Sequence, residues 1–181
     1  MEKYYPTQKH SADFWEHLGR VVATFGFLEE IMAKAYLAFT GNKKLSFNSD
    51  KELEEAYEKW GKELEKVATG QLSFLLKKYK EATKDLEHKI DINMLYSEVK
   101  EANDIRNMLC HASWRAPLQD GKSPLFYARG KGENLETCQQ LIDVEYLKQV
   151  QESVADITIR VFETVKDQGF DFPGIETPKE K

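Results

Sequence analysis

The sequence predicts a mostly all-α protein: an up-and-down helical bundle of four to five helices with a small β-hairpin or loop insertion before the last helix. Three observations predict it. Apolar residues recur every three or four positions through several long stretches. Gly41 and Gly169 stand as stop signals just beyond two of them. The segment from Trp114 to Leu141 abandons that period for short runs divided by Pro117, Asp120-Gly121, Pro124 and Gly130-Lys131-Gly132.

The first helix runs from Ser11 to Phe39, with Phe14, Leu18, Val21, Phe25, Leu28, Met32, Ala35 and Phe39 on one face. A second stripe of that helix carries Gly19, Ala23, Gly26 and Ala33. Small residues at that spacing let another backbone approach closely; packing within the chain is the favoured expectation, and a helix-to-helix dimer seam the alternative. Residues 49–79 form a charged amphipathic pattern that Ser49 can cap and that Gly70 kinks or divides. Seven acidic and four basic side chains between Asp50 and Lys66 suit a solvated face and carry no chemistry of their own.

Residues 92–112 predict a further helix, uninterrupted by Gly or Pro, on which Leu95, Val99, Ala102, Ile105, Leu109 and Ala112 keep helical spacing. A small hairpin or ordered loop follows over 114–141, with Leu125-Phe126-Tyr127-Ala128 as its most strand-like run. The last helix spans about 143–168, burying Val144, Leu147, Val150, Val154, Ile157, Val161, Phe162 and Val165. The division expected is an N-terminal extension over 1–10, one helical domain over 11–169 and a flexible tail over 170–181.

At 181 residues, 41% of them hydrophobic and 31% charged, the chain can bury a real core. A net charge of -5 supplies no long-range positive field toward nucleic acid or an anionic membrane, so any RNA contact must be local. The N-terminal residues lack the basic and apolar runs of a secretory signal, and no membrane span is expected; the expected location is the cytoplasm. Cys110 and Cys138 form no CxxC pair, and His10, His17, His88 and His111 show no zinc-ligand spacing, so neither metal nor cofactor is expected. Cys110 is expected as small buried filler, and His10, His17 and His88 at the surface or flanking helices.

One segment breaks the amphipathic pattern. On an ideal wheel Arg106 projects within roughly 20–40° of Leu95, Val99 and Ala102, in the middle of an apolar stripe. A guanidinium there requires a partner. Asp104, Asn107 and His111 stand three and four residues apart and form a polar stripe on another side of the same helix. Arg106 and His111 are separated by a rise of about 7.5 Å, within reach of one phosphate-sized group. Histidine titrates near neutrality and can move the proton of a 2′-hydroxyl or a leaving oxygen. Arginine stays charged and presents a planar fork to phosphate oxygens. Asn107 and Asp104 are candidates for orienting the pair. The plainer reading of the same residues is a structural ion-pair network around Arg106, with His111 at a helix C-terminus that favours cations.

Arg106-Asn107 followed by His111, near the C-terminal end of a helix in an all-helical domain, resembles the R-N-x-x-x-H signature of the HEPN superfamily. Members are helical bundles, many of them metal-independent endoribonucleases of toxin–antitoxin, phage-defence and CRISPR-associated systems, with active sites commonly assembled across a dimer. The resemblance implies that Arg106 and His111 are the catalytic pair, that Asn107 accompanies the arginine, and that the products carry 2′,3′-cyclic phosphate ends. It implies RNA as substrate, a homodimer, and an antitoxin protein as a further partner. Some members only bind nucleotides or partner proteins, and a noncatalytic scaffold is the alternative function.

From Trp114 to Gly132 four cations, Arg115, Lys122, Arg129 and Lys131, face Asp120 alone, with Trp114, Phe126 and Tyr127 interleaved. Trp114, Arg115, Lys122, Tyr127, Arg129 and Lys131 are therefore candidate RNA contacts, cations for phosphates and rings for bases. The favoured alternative is an ordinary hairpin that packs its aromatics on the helices and turns its charges to water.

Overall fold

The computed structural model describes residues 5–43, 46–130 and 135–174. The fold is mostly α: five helices, with a three-stranded antiparallel sheet inserted before the last. A turn of 3-10 helix, Pro6–Lys9, precedes α1 (Ala12–Gly41), α2 (Asp50–Ala68), α3 (Leu72–Thr83) and α4 (Ile92–His111); β1 (Ser113–Trp114), β2 (Ser123–Arg129) and β3 (Glu136–Ile142) lead into α5 (Val144–Asp167). Among the described residues no helix is long and apolar enough to cross a membrane. The candidate Lys131 and residues 175–181 of the expected tail lie outside the described residues.

Local chemistry explains the helix boundaries. Ser49 accepts a hydrogen bond from the Glu52 backbone N–H, so it caps α2 as its position suggests. Gly70 lies between α2 and α3, where a Cβ would stand 2.6 Å from the Phe74 ring and 3.1 Å from the Lys66 carbonyl oxygen, so the close approach of Phe74 there needs a glycine. Asp91 takes the Asn93 and Met94 backbone N–H groups at 3.0 Å and so starts α4.

The chain divides into two compact units. One comprises 27–100 and 156–181, and within it Leu28, Met32, Leu72, Leu75, Leu95, Val99, Val161 and Val165 are buried. A hydroxyl network crosses this core. Thr164 donates to the Val161 carbonyl at 2.6 Å, which leaves the Tyr79 hydroxyl to donate to the Thr164 oxygen, also at 2.6 Å. Thr83 donates to the Tyr79 carbonyl at 2.7 Å, so the Tyr96 hydroxyl donates to Thr83 at 2.5 Å. Phe172, in the segment expected as tail, is buried here against Phe162, ring centroids 4.7 Å apart.

The other unit, 1–26 with 101–155, holds the motif. Phe14, Leu18, Val21, Phe25, Leu109, Leu125, Ile142 and Leu147 are buried in it. His10 flanks α1 but is buried, its ring 4.7 Å from Phe14 and 5.1 Å from Trp15. The sheet runs β1-β2-β3, with Trp114 opposite Leu125, Leu125 opposite Gln140, Tyr127 opposite Cys138 and Arg129 opposite Glu136. Since side chains alternate along a strand, those residues share one face with the buried Ser123 and Ile142. Phe126 and Gln139 share the other face and are exposed.

The small-residue stripe of α1 departs from the favoured expectation. Gly19, Ala23 and Gly26 are exposed, and a Cβ built on either glycine meets nothing within 4 Å. The core side chains of α1 already span its other face, so these glycines serve no packing among the described residues. Trp15 and Val22 are exposed beside them.

Candidate functional site

Arg106 lies where the wheel places it, half-buried in the last two turns of α4. Its Nη1 donates to the Asn107 side-chain oxygen at 3.3 Å, so the structure joins the arginine to the asparagine beside it. His111 is the last residue of α4 and is exposed. At about 100° per residue the two side chains leave the helix roughly 140° apart, Arg106 toward the buried stripe and His111 toward solvent.

Asp104 takes a different part from the orienting role its spacing suggested. Its carboxylate lies 3.2 Å from Nη1 of Arg129, whose Nε donates to Glu136 at 2.6 Å. These contacts, led by the Glu136 hydrogen bond, raise the Arg129 pKa above its already high ordinary value. Asp104 therefore ties the far end of the β2–β3 hairpin to α4, and Arg129, a candidate RNA contact, is matched by two carboxylates.

The remaining candidates of the hairpin do not share one surface. Trp114 is half-buried on the inner face of the sheet, edge-on to Phe14 at 5.3 Å. Tyr127 is half-buried on that same face. Arg115 is exposed and lines a shallow cleft of about 390 Å³ with Phe126, Gln139 and Leu141 on the opposite side. Lys122 is half-buried in the turn before β2, its backbone N–H held by Asp120 at 3.1 Å. The cations and rings that alternate in sequence are thus divided between two faces.

Cys110, expected as buried filler, is exposed, as is Cys138. Cys110 sits at the edge of the apolar stripe in the last turn of α4, where the core no longer covers it. Among the described residues no three His, Cys, Asp or Glu side chains are grouped so as to hold a metal ion.

Sequence reasoning missed Glu136, Gln140 and Tyr146. They gather with Tyr127 and Arg129 around a second cleft, of about 270 Å³, against Asp104, Ile105 and Met108 of α4. Burial holds the Tyr146 phenol above its ordinary pKa, opposed by a hydrogen bond from Gln140. Strand alternation could have placed Tyr127 and Arg129 on one side, but which α4 residues they meet depends on how the hairpin folds back.

No protein family matches the chain, and no curated protein or solved structure matches it either.

Proposed function

We propose that this chain is an endoribonuclease in which Arg106 and His111 perform the chemistry. The observation that carries the reading is the pairing of a half-buried arginine, held by the adjacent Asn107, with an exposed histidine one and a half turns further along the same helix. His111 takes the proton of an RNA 2′-hydroxyl as its oxygen attacks the adjacent phosphorus. The bond to the 5′-oxygen breaks, that oxygen is protonated, and the products are a 2′,3′-cyclic phosphate and a 5′-hydroxyl. Arg106 neutralises the charge that builds on the phosphate oxygens in between. Neither step calls on a metal ion.

The roughly 140° between the two side chains favours a homodimer, in which the histidine of one copy faces the arginine of the other. The exposed α1 stripe of Trp15, Gly19, Val22 and Gly26 supports close approach of a second helix. A nuclease of this kind acts in the cytoplasm, in a toxin–antitoxin or phage-defence setting, and an antitoxin protein that covers His111 would silence it.

A second reading, a noncatalytic module that binds nucleotides or partner proteins, is favoured by one observation: the net charge of -5, with Arg129 already matched by Asp104 and Glu136, leaves little positive surface for RNA. The two separate in one experiment. Wild type, Arg106→Ala and His111→Ala, matched in oligomeric state by light scattering, are incubated with labelled RNAs in excess EDTA. Cutting by wild type alone, with cyclic-phosphate ends, is the expected result; equal cutting by His111→Ala sinks the nuclease reading.

A further inference from the structure

The cleft under the hairpin tip has no part in the chemistry described so far. Ile105 and Met108 of α4, Tyr127 of β2 and Tyr146 of α5 line it. Gln140 adds an amide, and the Arg129 pairs with Asp104 and Glu136 also lie along its lining.

Size and charge decide what such a cleft takes. At about 270 Å³ it falls just short of the roughly 300–1,000 Å³ typical of small-molecule sites, so it suits one ring system and not an oligonucleotide. Two carboxylates against one guanidinium leave a net negative charge on its lining, which repels phosphate and welcomes hydrogen-bond donors. A purely apolar guest would strip water from the Gln140 amide and the Tyr146 hydroxyl without replacing it. A flat ring with amino groups on its edge meets all of these conditions. Tyr127 and Tyr146 offer rings for its faces, the Asp104 and Glu136 carboxylates offer acceptors for its donors, and the Gln140 amide, which can both donate and accept, suits its edge.

We propose that this cleft is a nucleobase subsite, selective for bases that carry an exocyclic amino group, cytosine, adenine or guanine, over uracil. Its place relative to the motif is set by the helix. Asp104, Met108 and His111 fall within about 60° of one another on α4, and His111 lies one turn, about 4.5 Å, beyond Met108. The base held here is the one next to the phosphate at His111. That last statement rests on the nuclease reading; the binding of a base does not.

The test uses nucleosides, which carry no phosphate and so do not engage Arg106. Cytidine, adenosine, guanosine and uridine are titrated to millimolar concentration into the isotope-labelled full chain, following the Gln140 side-chain amide and the backbone amides of 104–108 and 127–146. Amino-bearing nucleosides are expected to shift these signals, with uridine roughly tenfold weaker because two carbonyl oxygens, which carboxylates repel, flank its one edge donor, N3–H. Tyr127→Ala is expected to weaken binding roughly tenfold or more, and Tyr127→Phe, which keeps the ring and the fold, to preserve it. Arg106→Ala should bind nucleosides as wild type does. Absence of shifts with any nucleoside overturns the proposal, as does equal binding of uridine and cytidine. Nucleoside binding without RNA cutting by wild type supports the subsite and removes the nuclease reading. RNA cutting that is indifferent to the flanking base and unchanged in Tyr127→Ala removes the subsite and leaves the nuclease.

Discussion

Arg129 of β2 reaches Asp104 of α4 across 3.2 Å while its Nε donates to Glu136 on the neighbouring strand at 2.6 Å. One side chain thus fastens the hairpin tip to the helix that bears the motif. All three groups are largely exposed, and exposed pairs add little to global stability. Arg129→Gln is therefore expected to leave the thermal midpoint nearly unchanged while speeding hydrogen exchange of the backbone amides in 127–129 and 136–138. Unaltered exchange there would show that the backbone ladder alone holds the tip.

Tyr79 and Thr164 give a sharper stability test. Thr164→Val leaves the buried Tyr79 hydroxyl without its acceptor, at a cost of about 1–3 kcal/mol, whereas the double replacement Tyr79→Phe, Thr164→Val removes both partners and should be closer to wild type. Urea titrations of Thr164→Val, Tyr79→Phe, the double variant and wild type measure the difference. A double variant as unstable as the sum of the singles would contradict the pairing.

Burial also holds the Tyr79 phenol above its ordinary pKa. The native protein then keeps a proton that the unfolded chain releases above pH ~10. Stability is complete below that pH and is lost as pH rises toward and through the native value. Alkaline unfolding followed by circular dichroism should move to higher pH in Tyr79→Phe, relative to each protein's own stability at neutral pH.

The carboxylate of Glu63 is shifted the opposite way, downward, first by its hydrogen bond to Lys78, 2.5 Å away on α3. Its contribution is present above the ordinary carboxylate range and is lost as pH falls through the depressed native value. Lys78→Met should flatten the acid limb of the stability profile. The same limb in both proteins would mean that the pair adds no net stability.

Gly19 and Gly26 separate helix propensity from association. With open space at each Cβ position, Gly19→Ala and Gly26→Ala should each stabilise an isolated chain by about 0.5–1 kcal/mol. If α1 meets α1 of a second copy, Gly26→Leu weakens the dimer without harming the fold. Melting curves and light scattering across a dilution series read the two effects apart.

The helices were legible in the sequence because burial writes a period of 3.6 into apolar positions, and α1, α4 and α5 begin and end within a few residues of the expected places. The one stretch expected over 49–79 is two helices, α2 and α3, divided at Gly70, a division the sequence allowed as one of two outcomes. Arg106, Asn107 and His111 were legible as a constellation because helical spacing converts directly into angle. Other features were not. Periodicity names the apolar stripe but not where its cover stops, so Cys110 at the helix end is exposed and Phe172 beyond the last helix is buried.

By itself the sequence determined what depends on neighbours a few residues apart: the helices, the break from helical period over 114–141, the Ser49 cap and the polar stripe of α4. Only the tertiary structure decided what depends on distant segments meeting. It set Arg129 against Asp104 and Glu136, divided the hairpin's cations between two faces, opened the cleft beside Tyr127 and Tyr146, and left Gly19 and Gly26 uncovered. The physical reason is that local spacing fixes direction around one helix or strand, whereas the partner in that direction depends on strand register and on how each element packs.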